Sequence, residues 1–160
     1  IKKTIETNLE NIKHLAKKLK NSRDIFLIGR NSAYPTALEG ALKIKEVSYI
    51  HAEGFAGGEL KHGTMALIEE GVPVIVFSTP STKELIISNA MEVKSRGAFV
   101  IGIDSEDNEA YDAFIKVPES NSTNPISMII PIQLLAYYVA LERGCDPDRP
   151  RNLAKSVTVK

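Results

Sequence analysis

The sequence has one cysteine, no excess of charge of either sign and no long apolar run. Cys145 stands alone, which excludes an internal disulfide and is compatible with a reducing compartment. The 20 basic residues balance the 20 acidic ones, so the composition gives no electrostatic reason to expect a nucleic-acid partner. No signal segment is recognisable, and no apolar run approaches the length of a membrane span. We therefore expect a cytoplasmic protein that binds neither nucleic acid nor membranes.

The chain is 160 residues long, which is enough for one domain with a sizeable core. It begins at Ile1 rather than at methionine, within a segment of helical periodicity. We therefore expect it to be a piece of a longer protein. Neither an internal repeat nor a low-complexity linker is visible, so nothing divides the chain into smaller units.

Helical and strand patterns alternate along the chain. Apolar residues recur with helical spacing over residues 4–20, 83–96 and 125–142. Short continuous apolar runs occur at 25–28, 72–77 and 98–103, and a weaker run at 113–117 suits an edge strand. This alternation predicts an α/β protein with a parallel sheet that is covered by helices on both faces.

The most informative segment is a further helix that carries three charges on one face. Glu39, Lys43 and Glu46 lie within about 60° of one another at about 100° per residue. Apolar residues flank them, so we expect little of this helix to face solvent. Downstream, the glycine-bracketed turn 57–63 carries His62. Carboxylates, an amine and an imidazole can move protons on a polar metabolite, although the helix charges could equally be ordinary ion pairs.

The last segment, 144–160, differs in kind from the rest. Its Asp146-Pro147 and Arg149-Pro150 pairs discourage regular structure. A tail of this composition either frays or docks against a specific surface. We therefore divide the chain into a single domain, residues 1–143, and a C-terminal tail, residues 144–160.

Several of these motifs are similar to one enzyme family. The matching stretches are Tyr34–Glu46, Tyr49–Glu53, Gly58–Gly63, Gln133–Tyr137 and Arg149–Val159. They resemble the glucosamine-6-phosphate synthase family, in the same order and over nearly the whole chain, which is far more specific than one short pattern. The resemblance implies a sugar isomerase (SIS) domain, a flavodoxin-like three-layer α/β/α sandwich around a parallel sheet.

In that family two SIS domains form the isomerase half and follow a glutaminase domain. The resemblance identifies this chain as the second, C-terminal SIS domain. The complete enzyme converts fructose 6-phosphate and glutamine to glucosamine 6-phosphate and glutamate. The resemblance implies no metal and no organic cofactor. Its partners would be the sugar phosphates, the first SIS and glutaminase domains of the same chain, and a second subunit in a homodimer.

The resemblance assigns the chemistry at the sugar to three residues. Lys155 matches the lysine that forms an imine with the C2 carbonyl of the open-chain sugar, which acidifies the neighbouring C–H. Glu46 matches the base that moves a proton between C1 and C2. Ala154 matches a residue that contacts the substrate. On residue type alone, a lysine in a tail is usually only solvated, so the role of Lys155 depends on the surrounding motif.

Three further roles follow from the same resemblance. Lys43 and Glu39 match charged residues that line the pocket, where Lys43 could offset the charge of an enediolate and Glu39 could orient a histidine. His62 matches the histidine that opens the sugar ring, a step that suits a group titrating near neutrality. In the family this histidine reaches the pocket of the neighbouring subunit. A histidine in a turn is otherwise more often a surface residue, as we expect for His14, whereas we expect His51 to be structural.

Two loops could hold a phosphate, but neither fits the family pattern well. The turn Gly29–Ser32 offers only Ser32, and the hydroxyl-rich Ser78–Thr82 equally suits a helix N-terminus. In the family the first SIS domain holds the sugar phosphate. We therefore assign no phosphate site to this chain and expect the isolated fragment to be weakly active or inactive. Lys160 is a further departure, since many relatives end in glutamate.

Two other functions are weighed against this one. A non-catalytic, sugar-phosphate-binding SIS module would need a phosphate loop but neither the imine lysine nor the charged helix. A flavodoxin-like nucleotide-binding domain would need a glycine-rich fingerprint, and Gly29 stands alone before Arg30. Cys145 follows Gly144 with no histidine nearby in sequence, so it is not a credible nucleophile.

Overall fold

The buried apolar runs of the chain form a five-stranded parallel sheet in the order β2-β1-β3-β4-β5. The computed structural model describes residues 1–119 and 124–152. The elements are α1 (Lys2–Leu19), β1 (Asp24–Gly29), α2 (Ala33–Ser48), β2 (His51–Ala56), β3 (Pro73–Phe77), α3 (Lys83–Lys94), β4 (Phe99–Asp104), β5 (Ala113–Lys116) and α4 (Asn124–Glu142). Short 3-10 turns lie at Gly57–His62, Thr64–Leu67 and Pro80–Thr82.

Helices cover both faces of the sheet, which confirms the predicted three-layer α/β/α sandwich. On one face, Leu27 and Ile75 pack with the inner sides of α1, α2 and α4. On the other face, Phe26 and Val74 pack with α3 and with Leu60 of the 3-10 turn. The central strands read as continuous apolar runs because alternate residues are buried on opposite faces.

Strand β2 was not predicted from the sequence. It pairs with β1 alone and forms one edge of the sheet, with Leu27 beside Gly54. Apart from Phe55 its residues are polar or small, and only Ala52 among them is buried, so it lacks the apolar run that marks the inner strands. Gly54 is required because a Cβ there would lie 2.9 Å from the backbone of Ala37 in α2. The buried strand predicted at 72–77 is confirmed as β3, and β2 is an additional strand that precedes it.

Helix α4 departs from the expectation that no segment is long and apolar enough to span a membrane. Within the described residues, Asn124–Glu142 is one helix that is long and apolar enough, by length and composition, to cross a membrane. In this fold its inner side is buried against α1 and α2, where Met128, Ile132 and Leu135 belong to the core. Its outer side leaves Ile126, Tyr137 and Leu141 exposed.

The chain order places the switch point of the sheet between β1 and β3, where successive crossovers depart in opposite directions. The turn after β1 leads to α2 on one face, and the turn after β3 leads to α3 on the other face. Helix α2 starts at this carboxyl edge of the sheet and runs back towards the amino edge, with its 16 residues spanning about 24 Å.

Candidate active site

The three charged residues of α2 come together as the helical spacing predicts. Lys43 Nζ lies 2.7 Å from Glu46 Oε2 and donates a hydrogen bond to it. The same nitrogen lies 3.5 Å from Glu39 Oε1. One ammonium group is thus shared by two carboxylates, and we call Glu39, Lys43 and Glu46 the charged triad.

The triad keeps Lys43 in its charged form. The hydrogen bond to Glu46 raises the pKa of Lys43, the nearby charge of Glu39 adds to this effect, and partial burial opposes it. The Lys43 and Glu46 side chains are 30% and 28% exposed, and Glu39 is 46% exposed. The groups are therefore half-buried and still open to a ligand on one side.

The surroundings of the triad are more open than the sequence suggested. Leu38 and Leu42 were expected to be largely enclosed, but they are 44% and 40% exposed. Tyr137, on the outer side of the neighbouring helix α4, is 43% exposed. The inner side of α2 is filled by small residues against the sheet and α4, and its leucines are left on the outer side. The triad therefore lies on an outward, partly apolar face.

The tail meets α2 at the end that carries Glu46. Tyr49 follows the last turn of α2, three residues after Glu46. Its hydroxyl oxygen accepts a hydrogen bond of 2.8 Å from the backbone N–H of Arg151, and the Arg151 guanidinium lies 4.1 Å from the centre of the Tyr49 ring. Arg151 of the tail is therefore docked against Tyr49, at the end of α2 that carries Glu46.

Lys155 and Ala154 lie outside the described residues, so their predicted roles stay predictions.

The structure does not bring His62 to the triad of the same chain. His62 is exposed at the end of the 3-10 turn Gly57–His62. Leu60 of this turn is buried in the core on the α3 face, and Lys61 forms a 2.8 Å ion pair with Glu92 of α3. The triad lies on the opposite face of the sheet. A site that uses His62 and Glu46 together therefore needs two chains.

The loops at the carboxyl ends of β1 and β3 form a small cavity of about 80 Å³. It is lined by Ser32, Thr79, Pro80, Ser81 and Asn124. Ligand sites for small molecules are usually about 300–1,000 Å³, so this cavity does not enclose a sugar phosphate. Ser32 precedes the start of α2, and Glu46 is about 21 Å farther along the same helix.

Larger clefts lie elsewhere, and two of them are at the amino ends of the strands. One, of about 510 Å³, is lined by residues at the amino ends of β1, β2 and β3, including Asp24 and His51. The other, of about 580 Å³, lies beside the amino ends of β3 and β4. Neither is lined by a triad residue. We therefore do not assign the site to these clefts.

The other two histidines are in ordinary surroundings. His14 is exposed on α1, as expected. His51 Nδ1 lies 2.7 Å from Asp24 Oδ1, which links the first residues of β2 and β1. This contact is consistent with the structural role predicted for His51, although its side chain is 59% exposed.

Sequence reasoning missed Tyr49 as a residue of the site. Tyr49 lies in one of the matching motifs, but its contact with Arg151 joins residues 102 positions apart and no local pattern signals it. The sequence analysis considered Arg30 only as part of the candidate phosphate-binding turn Gly29–Ser32. In the structure its Nε donates a 2.9 Å hydrogen bond to Asn89 of α3, so it points towards the face opposite the triad.

Comparison with known proteins identifies a family and a set of relatives. Residues 18–143 match the SIS domain family. The chain is 53% identical over 155 residues to glutamine–fructose-6-phosphate aminotransferase [isomerizing] from Pyrococcus horikoshii, covering 94% of this chain and 26% of that protein. It is 52% identical to the enzyme of the same name from Thermococcus kodakarensis, with the same coverage. The chain thus spans about a quarter of the length of these curated relatives.

Solved structures agree with this result. The C-terminal domain of glucosamine-fructose-6-phosphate aminotransferase from Francisella tularensis matches with a TM-score of 0.83 and 32% identity, over 91% of this chain and 43% of that one. Tagatose-6-phosphate ketose/aldose isomerase from Escherichia coli matches with a TM-score of 0.75 at 20% identity, over 98% of this chain and 46% of that one, which shows the fold alone. Both solved chains are about twice as long as this one.

Proposed function

This chain belongs to the SIS domain family, and we propose that it is the C-terminal SIS domain of a glutamine–fructose-6-phosphate aminotransferase. In this proposal it supplies the groups that act on C1 and C2 of fructose 6-phosphate during the synthesis of glucosamine 6-phosphate. The observation that carries the proposal is the charged triad of α2 with the tail docked at the same helix end.

The proposed chemistry starts at Lys155. Its neutral amine attacks the C2 carbonyl of the open-chain sugar, and the carbonyl oxygen leaves as water to give an imine. Ammonia derived from glutamine then replaces the lysine nitrogen at C2. A proton leaves C1 and another is delivered to C2, while O1 becomes the aldehyde oxygen. The product is a 2-amino aldose, so the C1–C2 step is an isomerisation that needs no oxidant.

Glu46 is the proposed base for that step. A carboxylate that takes the C1 proton and returns it to C2 must be ionised and reachable. Glu46 lies 2.7 Å from the ammonium of Lys43 and keeps 28% of its side chain exposed. In the same proposal Lys43 offsets the negative charge that develops on the substrate, and Glu39 holds Lys43 in place.

His62 is the proposed ring-opening residue, and its position requires a second subunit. It lies on the α3 side of the sheet, whereas the triad lies on the α2 side. A homodimer could bring His62 of one subunit to the triad of the other. We therefore propose that the active form is at least a dimer.

The first SIS domain is the proposed partner of the outward face of α2. Exposed leucines beside a half-buried charged group favour a surface that becomes covered. The proposed partner also holds the sugar phosphate, because the cavity at Ser32 is small and about 21 Å from Glu46, farther than a hexose phosphate extends. The isolated chain is therefore expected to be weakly active or inactive.

An imine trap tests this proposal. Fructose 6-phosphate and borohydride are added to the chain, with and without the preceding domains of a curated relative, and peptides are mapped by mass. We expect a sugar adduct on Lys155 that becomes abundant only when the preceding domains are present. A Lys155→Arg variant is the matched control, since it keeps the charge but forms no imine.

The trap also separates the catalytic function from the alternative one. A non-catalytic sugar-phosphate-binding module would bind fructose 6-phosphate equally well as wild type and as Lys155→Arg. If the assembled protein binds the sugar in this way and no adduct forms on Lys155, the catalytic proposal is wrong.

A further inference from the structure

Tyr49 ends helix α2 in an unusual backbone conformation. Its φ is 59° and its ψ is 20°, which is the left-handed region. Glycine enters this region without strain, whereas a bulky aromatic residue rarely does. Such a conformation at a non-glycine residue often accompanies a functional constraint on the side chain. The next residue, Ile50, is buried at 2% exposure, so the chain direction here is fixed by the core.

The Tyr49 side chain holds Arg151 in two independent ways. Its hydroxyl oxygen accepts the backbone N–H of Arg151 at 2.8 Å. Its ring faces the Arg151 guanidinium at 4.1 Å, which is a cation–π contact. One contact uses the backbone of the tail and the other uses its side chain, so both the position and the rotation of Arg151 are restrained.

The backbone around Arg151 turns sharply at both ends of this contact. Before it, Asp146 accepts hydrogen bonds from the backbone N–H groups of Asp148 and Arg149. After it, Asn152 has a φ of 61°, again in the left-handed region. The contact with Tyr49 therefore lies within a turn, and it sets the point from which the chain continues past Asn152.

We propose that Tyr49 is a positioning residue that fastens the tail to the end of α2. By holding Arg151, it fixes the place from which the chain continues past Asn152, at the end of α2 that carries Glu46. The anchoring itself does not depend on the proposed function. Its consequence, the delivery of Lys155 to the sugar, rests on that function.

The two contacts between Tyr49 and Arg151, which we call the anchor, favour the docked tail but still allow it to detach. Arg151 is exposed and Tyr49 is half-buried, so neither contact is fully shielded from water. A hydrogen bond of ordinary net strength corresponds to about a five-fold change in an equilibrium constant. An exposed cation–π contact corresponds to about a two- to five-fold change. Together they favour the docked tail by about ten- to twenty-five-fold.

Amide hydrogen exchange of Arg151, followed by NMR in the 160-residue chain, tests the anchor directly. Tyr49→Phe removes the acceptor and keeps the ring, and we expect exchange at Arg151 to rise about five-fold. Arg151→Ala keeps the backbone donor and removes the guanidinium, and we expect a rise of about two- to five-fold at residue 151. Tyr49→Ala should combine both effects. Tyr137→Phe, at an exposed tyrosine of α4, is the control and should change nothing.

A glycine variant distinguishes anchoring from damage to the fold. Tyr49→Gly removes the side chain and relieves the left-handed backbone, so its melting temperature should not fall below that of Tyr49→Ala. Its Arg151 exchange should nevertheless be as fast as in Tyr49→Ala. Exchange at Arg151 that is unchanged in Tyr49→Phe and in Tyr49→Gly would overturn the proposal.

The imine trap then tests the consequence for Lys155. With the preceding domains present, Tyr49→Phe should lower the yield of the Lys155 adduct about five-fold at subsaturating sugar. If wild type gives the adduct and Tyr49→Phe gives it equally well, the positioning role is wrong. If wild type gives no adduct but Arg151 exchange responds to Tyr49, the anchor stands and the proposed function fails.

Discussion

Helices α2 and α3 each follow a buried strand, but they use their charges differently. On α3, Lys83 pairs with Glu106 at 3.0 Å, Lys94 with Asp112 at 3.0 Å and Glu92 with Lys61 at 2.8 Å. These partners lie in the loop after β4, before β5 and in the 3-10 turn. On α2, the charged triad pairs only within the helix, as far as the described residues show.

This difference distinguishes ion pairs that join separate segments of the chain from ion pairs within one helix. The α3 pairs join loops to a helix, so removing one weakens a contact between separate segments of the chain. The triad joins nothing except successive turns of one helix, where an ion pair contributes about 0.2–0.5 kcal/mol. The sharing of one ammonium by two carboxylates on an outward face is therefore hard to explain by stability, and it favours a role towards a ligand.

The largest expected effect tests this comparison in catalysis. In a chimera where this chain replaces the matching quarter of a curated relative, Glu46→Gln should lower the turnover of the C1–C2 proton transfer by about 10²- to 10⁴-fold, since the amide cannot act as the base. Glu92→Gln on α3 should leave turnover within about two-fold. Loss of deuterium from C1-labelled substrate measures this step, and equal effects of the two changes would refute the distinction between the helices.

The next effect concerns the outward face of α2. Leu42→Glu should weaken binding to the preceding domains of a relative by about 30-fold, because it places a charge in an apolar interface. Leu85→Glu is the matched control, since Leu85 is 57% exposed on α3 and lies on the other face. Titration calorimetry measures both affinities. A weaker complex with Leu85→Glu than with Leu42→Glu would assign the interface to the other helix.

A smaller effect tests whether Tyr111, on the α3 side of the sheet, has a structural role only. The Tyr111 hydroxyl donates a 3.0 Å hydrogen bond to Asp104, whose side chain is almost fully buried. Burial is the main reason why the pKa of Tyr111 is raised, so the hydroxyl stays a donor at neutral pH. Tyr111→Phe should lower the free energy of unfolding by about 1–3 kcal/mol, as read from urea denaturation. Proton transfer in the chimera should not change, and a selective loss of that activity would contradict the assignment.

The smallest effect is a difference in pH dependence between the two helices. The pKa of Lys43 is raised above 10.5, so its stabilising effect is present below pH 10.5 and is lost as pH rises through the folded-state value. The hydrogen bond from Lys61, with a smaller effect of its charge, lowers the pKa of Glu92 below 4.5. Its stabilising effect is therefore present above pH 4.5 and is lost as pH falls through the folded-state value.

Unfolding curves across pH measure this difference. Lys43→Met should cost about 0.3–0.5 kcal/mol at pH 7 and nothing in strongly alkaline solution. Glu92→Gln should cost about 0.2–1 kcal/mol at pH 7, a figure reduced by the exposure of Lys61, and nothing in strongly acidic solution. Penalties that do not depend on pH would show that neither pair acts through its charges.

Much of the fold followed from local pattern. The central strands β1, β3 and β4 are apolar because both of their faces are buried, and α1, α3 and α4 keep their helical periodicity within one or two residues of the predicted ends. Strand β2 could not be found in this way. It is an edge strand whose residues, apart from Phe55, are polar or small, and its place depends on the closeness of α2 at Gly54.

The residues of the candidate site also differ in how far the sequence predicts their positions. The spacing of Glu39, Lys43 and Glu46 fixes their meeting because all three belong to one helix. The sequence could not show that Leu38 and Leu42 are exposed, because either side of an apolar helix can face the sheet. It also gave no sign that His62 lies on the opposite face of the sheet from the triad.

By itself, the sequence determined what short-range geometry controls: the alternation of strands and helices, the charged triad, and the motifs by which the family is identified. The tertiary structure alone decided which surface of α2 faces outwards, where His62 lies, and that Tyr49 meets Arg151 across 102 residues. The reason is physical. Helical and strand periodicity act over a few residues, whereas contacts between distant segments depend on how the whole core packs.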